Sequence, residues 1–276
     1  MDSGANGEET TGVHPDFEAL YVENGLLRGE LATLKEEAEY LVSVTVPQTQ
    51  TSYTIQIGAL HAELFQLQTD VTKIRRRLVI LRDALQRGDV FDESSMSVII
   101  DREFAEWDDR LRMELAKVEE AKARFSSLVT SEDELEIRSL YRILARKMDP
   151  EINPDQGEEA KSFWPNIQSA YRARDLFHLK ALLMMAEDYP ESYDLPSDIG
   201  SVRASGERLR RRVNFMNTKL TDIKSHVAFE WRKLLDNPHK LAKEQTRLRE
   251  EIEKTRFQRV ALEDMLRSLE LKNQLR

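Results

Sequence analysis

YTIQIGALHAELFQLQTDVTKIRRRLVILRDALQRG, residues 53–88, places an apolar or aromatic residue at every third or fourth position: Tyr53, Ile57, Leu60, Leu64, Leu67, Val71, Ile74, Leu78, Leu81 and Leu85. The steps alternate between four and three without a miss. An α-helix turns every 3.6 residues, so these side chains form one stripe along it, whereas a half-buried strand would show period two. The spacing predicts a helix from Tyr53 to Arg87, about 50 Å long at 1.5 Å per residue. Gly88 supplies its stop.

Similar seams lie on both sides. Phe17, Leu20, Asn24, Leu27, Leu31, Leu34, Ala38 and Leu41 form the first, with Asp16 able to cap its start and Pro47 ending it. Ile100, Phe104, Trp107, Leu111, Val118, Ala121, Phe125 and Leu128 form the third, with Glu114 as a polar intruder. Three long helices with short connections point to an antiparallel coiled-coil arm. One stretch reads two ways: Val42, Val44, Val46 and then Tyr53, Ile55, Ile57 alternate around PQTQT, which is also a hairpin pattern. Tyr53 and Ile57 fall in step with the helical seam, which favours helix from about residue 51.

Beyond Ser131 the pattern shortens. It predicts a helix over 132–148, a polar loop over 149–161 and a helix over about 163–187 that begins near Phe163, so that Pro165 falls in a first turn. YPESYDLPSDIG (189–200) reads as a linker. Two more helices follow, about 203–235 and 239–274, divided by Asp236, Asn237 and Pro238. In the last, Leu241, Leu248, Thr255, Leu262 and Leu269 share one heptad position and Gln245, Ile252, Arg259 and Leu266 the other. With Gln, Thr and Arg in it, this seam suits packing on its own preceding helix or on the N-terminal arm better than a free homodimer zipper. The fold class is therefore all-α, organised as a leader (1–15), coiled-coil helices (16–130), a small helical domain (131–188), a linker (189–200) and a basic C-terminal hairpin (201–276).

Composition agrees. Of 276 residues 33% are charged, while 10 Gly and 8 Pro make about 7% of the chain against a usual share of about 12%. With no Cys, disulfides, thiolate nucleophiles, Cys-bound zinc and iron–sulfur clusters are excluded. The first residues, MDSGANGEETTG, lack the basic and apolar regions of a secretory signal, so a cytoplasmic protein is expected. The uncharged run Leu41 to Ala62 is too rich in Gln and Thr, and holds Pro47, to read as a membrane span. The net charge of −9 is uneven: from Ser201 onward 19 Lys/Arg stand against 11 Asp/Glu, and before it 22 against 39. The basic part could meet an acidic partner, nucleic acid included. In the run Arg208, Arg210, Arg211, Arg212 only Phe215 is near to stack on a base, so a solvated face or a brace against the acidic arm is the favoured reading.

Motifs for catalysis or metal binding are missing. His14, His61, His178, His226 and His239 show no ligand spacing, and His61 and Glu63, two apart on a helix, do not converge. Paired carboxylates such as Glu36–Glu37 and Glu250–Glu251 read as solvated helix faces. Without a Gly-rich phosphate loop or a nucleophile elbow, the expectation is a non-enzyme with no cofactor and no metal.

Residues 140–154, LYRILARKMDPEINP, combine an apolar stripe (Leu140, Tyr141, Leu144, Met148) with cations at Arg138, Arg142, Arg146 and Lys147. Asp149–Pro150 ends the helix, because the residue before a proline is pushed out of the α region. Trp164, Ile167, Ala170 and Tyr171 lie on one side of the next helix and suit packing against that stripe. Together these residues resemble the second helix, loop and third helix of the J domain of DnaJ co-chaperones: Tyr141, Arg142, Leu144, Ala145, Lys147, a tripeptide, Asn153 and Pro154, then Trp164, Ile167, Ala170 and Tyr171. The likeness covers about 45 residues. More broadly, long helices, a J-like segment and a helical hairpin resemble a group of bacterial DnaJ-like proteins.

The resemblance implies a co-chaperone-like adaptor that docks a DnaK-type chaperone, or another acidic protein surface, through Arg138, Arg142, Arg146, Lys147, Asp149, Pro150, Glu151, Asn153 and Pro154. In the family the tripeptide is His-Pro-Asp and is needed to stimulate ATP hydrolysis. Here it reads Asp149, Pro150, Glu151, exchanging a potentially cationic donor for an anionic acceptor, so stimulation is expected to be weak or lost. His14-Pro15-Asp16 is a literal His-Pro-Asp, but no basic helix precedes it, and it reads as a proline turn before the first helix. A structural scaffold and nucleic-acid binding by the C-terminal hairpin are the alternatives, and a homo-oligomer is compatible with each.

Overall fold

The structure is a computed structural model that describes residues 15–88, 92–125, 131–154, 156–187 and 198–274. Residues 1–14 of the expected leader, His14 among them, and most of the linker lie outside these. Every regular element among the described residues is helical, so the fold is all-α. In chain order they are α1 (Pro15–Tyr40), a π turn (Leu41–Thr45), α2 (Val46–Tyr53), a second π turn (Thr54–Gly58), α3 (Ala59–Arg87), α4 (Glu93–Phe125), α5 (Ser131–Met148), α6 (Glu158–Arg172), α7 (Leu176–Glu187), α8 (Ile199–Lys224), α9 (Val227–Leu235) and α10 (Pro238–Gln274). None of these helices is long and apolar enough to cross a membrane.

The hairpin pattern around PQTQT is realised as helix, and Pro47 does not end it. Val46 N–H bonds back five residues to the Leu41 carbonyl, opening a wide turn immediately before the residue that has no N–H to give. A second wide turn returns Ala59 N–H to the Thr54 carbonyl. The expected stop at Gly88 is present, with φ +80.

The chain divides into two compact units, residues 1–46 with 129–226, and 47–128 with 227–276. In the first, α1 and α8 run parallel: Asp16 meets Arg203 at 3.6 Å and Glu37 meets Lys224 at 2.7 Å, with Glu23 and Arg210 paired between them. Val202, Leu209, Val213, Met216 and Leu220 form the buried seam of α8. Asn24 on α1 is buried and donates from Nδ2 to the Val202 carbonyl at 2.9 Å. A Cβ on Gly206 would lie 2.6 Å from Asn24 Oδ1, so any side chain here forces the Asn24 carboxamide to move. Gly206→Ala is expected to displace the Asn24 carboxamide and cost about 1–3 kcal/mol, read as a lower urea midpoint; an unchanged midpoint would show that the amide shifts freely.

In the same unit α5 packs on α1, and α6 and α7 pack on α5 and on each other. The single helix expected over about 163–187 is two. α6 starts earlier, at Glu158, which leaves the exposed Pro165 in its interior. It ends where Arg174 takes φ +56, with Asp175 N–H bonded back to the Ala170 carbonyl at 3.0 Å. Arg174 is held there by Glu134 at 3.4 Å and by the faces of Tyr40 and Tyr171, tertiary contacts that offset a backbone geometry costly for a residue with a Cβ. Asp175 then accepts His178 N–H at 2.9 Å and starts α7.

In the second unit α3 packs between α4 and α10. Lys73–Asp108 at 2.6 Å and Arg76–Glu103 at 2.8 Å order α3 and α4 antiparallel, as expected of the arm, but α1, its expected third member, packs on α8 in the first unit instead. The α3–α10 pair is parallel: Leu64 and Leu67 meet Leu248 and Ile252, and Leu78 and Leu81 meet Leu266. The polar seam residues of α10 account for this choice of partner. Gln245 donates to the Gln56 carbonyl at 3.3 Å and Arg259 reaches Asp70 at 3.3 Å. The helix expected over 203–235 also divides, into α8 and α9. Ser225 donates its hydroxyl to the Asp222 carbonyl at 2.6 Å, a local bond that competes with continuation.

Candidate protein-interaction site

The J-like residues form a helix, a braced loop and a second helix. Leu140, Tyr141, Leu144 and Met148 of α5 are buried, as are Trp164, Ile167, Ala170 and Tyr171 of α6. The Tyr141 ring lies 4.1 Å from that of Tyr171 and 5.7 Å from that of Trp164. Three aromatic rings at these separations add packing beyond their buried area.

The loop satisfies the open end of α5 with its own side chains. Asn153 Nδ2 donates to the carbonyls of Arg146 at 2.7 Å and Lys147 at 3.2 Å, and the Gln156 amide also donates to the Lys147 carbonyl. The Asp149 carbonyl accepts from Ile152 and Asn153, and its Oδ1 accepts Glu151 N–H at 2.8 Å. Asp149 therefore braces its own turn and is 0% exposed.

Two residues from other helices close over this loop. Lys35 of α1 pairs with Asp149 and, at 2.7 Å, with Glu151, while its ammonium sits 5.6 Å over the Trp164 ring. Arg212 of α8 reaches Glu151 at 3.4 Å. Burial pushes the Asp149 carboxyl above the ordinary carboxylate range, with Lys35 opposing the shift, whereas the hydrogen bond from Lys35 holds Glu151 below it.

These shifts set opposite pH slopes. Above the ordinary value of 3.8 and below its raised one, Asp149 keeps a proton that the unfolded chain has released; its contribution to stability is present at low pH and lost as pH rises through that window. Glu151 contributes above its ordinary value of 4.5, and this is lost as pH falls through its lowered one. Asp149→Asn is expected to remove the first slope and leave the second, as measured by urea unfolding from about pH 3 to 7. Retention of the full wild-type slope would reject this assignment.

Arg138 donates to both Glu36 oxygens, at 2.7 and 3.1 Å, and Arg142 approaches Glu36 at 3.5 Å. Tyr171 donates its hydroxyl to Glu36 at 2.8 Å. Both guanidiniums thus have an acidic partner within the chain. Arg146 is exposed and Lys147 half-buried; of the loop residues, Pro150 is half-buried, Glu151 and Pro154 are exposed and Asn153 is buried. Ile143 is 48% exposed and Leu135 68%, so the outward side of α5 mixes apolar residues with cations.

Glu36 corrects the reading of Glu36–Glu37 as a solvated pair, since it is 1% exposed. A signal was available: Ala32, Glu36 and Tyr40 recur every four residues beside the main seam, a second stripe on a helix that packs on two sides. Of the literal His-Pro-Asp, Pro15 and Asp16 lie within the first turn of α1 rather than in a turn before it, so Asp16 is not its cap; it meets Arg203. Among the described residues no three His, Asp or Glu side chains converge as a metal-ligating cluster. Compared with protein-family models, curated proteins and solved structures, the chain matches none.

Proposed function

We propose that the chain is a non-enzymatic, cytoplasmic interaction protein, a divergent J-like adaptor whose docking surface is the outward side of α5 and the adjoining loop. The observation that supports this reading is the half-exposed Ile143, with Arg146 and Lys147 three and four residues on and therefore on the same side of the helix. An apolar centre bordered by cations fits an acidic partner that brings its own apolar anchor. A DnaK-type chaperone is the partner the J-like pattern suggests. Stimulation of its ATP turnover is expected to be weak, because Asp149 is turned into its own loop and Glu151 is occupied by Lys35 and Arg212.

Mixing the purified protein with such a chaperone and following steady-state ATP hydrolysis tests the reading. Weak stimulation, together with binding that is lost in the Arg146→Glu, Lys147→Glu double variant, is the expected result. Robust stimulation that disappears in Pro150→Ala would overturn the degenerate-loop reading, and undiminished binding by the double variant would overturn the docking face.

A structural scaffold is the second reading, favoured by the convergence of Arg138, Arg142 and Tyr171 on Glu36. It expects every partner to remain bound after the double charge reversal. For nucleic acid, the arginine run is already divided, with Arg210 on Glu23 and Arg212 on Glu151.

A further inference from the structure

The second unit holds a cleft of about 530 Å³ beside the wide turn Thr54–Gly58. Its volume lies within the range of small-molecule sites. Tyr53, Phe65 and Trp231 line it. Tyr53 stacks on Trp231 with ring centres 4.4 Å apart, and Phe65 is backed by Trp107 at 6.2 Å. Aromatic residues make up only 7% of the chain, and the neighbouring α3–α10 seam is filled mainly by Leu and Ile. Three rings therefore line one opening, with Trp107 behind one of them.

Two features keep the cleft open. The wide turn interrupts the regular ladder, an irregularity that recurs at binding sites in other helices. Gly58 lines the cleft within this turn, although a Cβ there would make only ordinary contact, 3.5 Å from Thr54 Cγ2. Packing does not demand glycine at this position, and glycine inside a helix costs about 0.5–1 kcal/mol relative to alanine. What the missing side chain provides is space.

The charge at the rim is positive. Arg110 is exposed, lies 5.5 Å over the Phe65 ring and makes no ion pair among the described residues. Lys117 and Glu114, also at the rim, neutralise each other at 2.9 Å, and His61 is exposed beside them. Buried Val118 and Ala62 add apolar lining.

We infer that this cleft binds a small aromatic anion, with its rings against Phe65 and the Tyr53–Trp231 pair and its carboxylate or sulfonate on Arg110. The inference is independent of the docking face on α5, which lies in the other unit. The probe is 8-anilino-1-naphthalenesulfonate, titrated into the full-length protein by calorimetry and by energy transfer from tryptophan. One saturable site per chain is expected. N-phenyl-1-naphthylamine, which keeps the rings and lacks the sulfonate, should bind about tenfold more weakly, and Arg110→Glu should weaken the sulfonate by about tenfold. Gly58→Leu, which fills the opening, should abolish binding, whereas Gly58→Ala should retain it. Arg110 is exposed, so its variant decides the question even if Gly58→Leu unfolds. Absence of a saturable site, or equal binding by wild type and folded Arg110→Glu, would overturn the proposal.

Discussion

Glu36→Leu is expected to destabilise the first unit by about 3–5 kcal/mol, the range for removing one partner of a buried ion pair. The carboxylate is 1% exposed and receives Arg138 through two hydrogen bonds and Tyr171 through one, with Arg142 at 3.5 Å. Its loss leaves the Arg138 charge beside an apolar side chain and a buried tyrosine hydroxyl without its acceptor. Glu36→Gln keeps an acceptor for Tyr171 and should lose less. Adding Arg138→Met to Glu36→Leu should recover part of the loss, because the cation left without a partner is then gone as well. Urea unfolding of wild type, Glu36→Leu, Arg138→Met and the Glu36→Leu, Arg138→Met double variant, read as a double-mutant cycle, provides the check. Additive effects would mean that the pair does not act as a unit.

The second large effect is expected from Lys35→Met. Lys35 is the cation paired with Asp149, which is fully buried, and it also meets Glu151. Removing it leaves the Asp149 carboxylate facing the full cost of burial at neutral pH, a loss of about 3 kcal/mol. The sign with pH follows from the same group. When Asp149 is protonated it needs no cation, so the variant should approach wild-type stability as pH falls through the raised Asp149 value and fall away from it as pH rises. Unfolding curves near pH 4 and pH 7 separate the outcomes, with the larger difference at the higher pH. An equal deficit at both would locate the effect in packing against the Trp164 ring instead. Faster hydrogen exchange at Glu151 and Ile152 in the variant would further show that Lys35 restrains the loop.

The seams were legible because apolar spacing is a local property. Leu64, Leu67, Leu78 and Leu81 are buried in the core of the second unit, and Tyr141 and Tyr171 meet in the first. Helix ends were legible where one residue decides them, as at Gly88 and at Asp149–Pro150. They were not where a tertiary contact decides. Arg174 breaks the expected second helix because Glu134 and two tyrosine rings hold it, and none of the three is near in sequence to all the others. Pro47 read as a stop because the wide turn that accommodates it leaves no compositional mark.

The candidate site divides in the same way. The apolar stripes, Asn153 and the departure at the tripeptide are readable in one segment. The orientation of Arg138 and Arg142 is not, because it depends on a carboxylate 102 residues from Arg138. Lys35 and Arg212, which meet the loop, likewise come from helices remote in sequence.

The parallel pairing of α1 with α8, and of α3 with α10, has a consequence for biosynthesis. Glu23 meets a partner 187 residues downstream, and Gln56 one 189 downstream. At 5–20 residues per second the ribosome needs on the order of ten seconds or more to deliver those partners. Meanwhile the leucine stripes of the nascent helices have emerged and wait uncovered. A premature stop before residue 199 would release a polypeptide without α8 and α10 to cover these stripes, a substrate for holdases and proteases. Completion of translation is thus itself the last quality-control step that this architecture imposes.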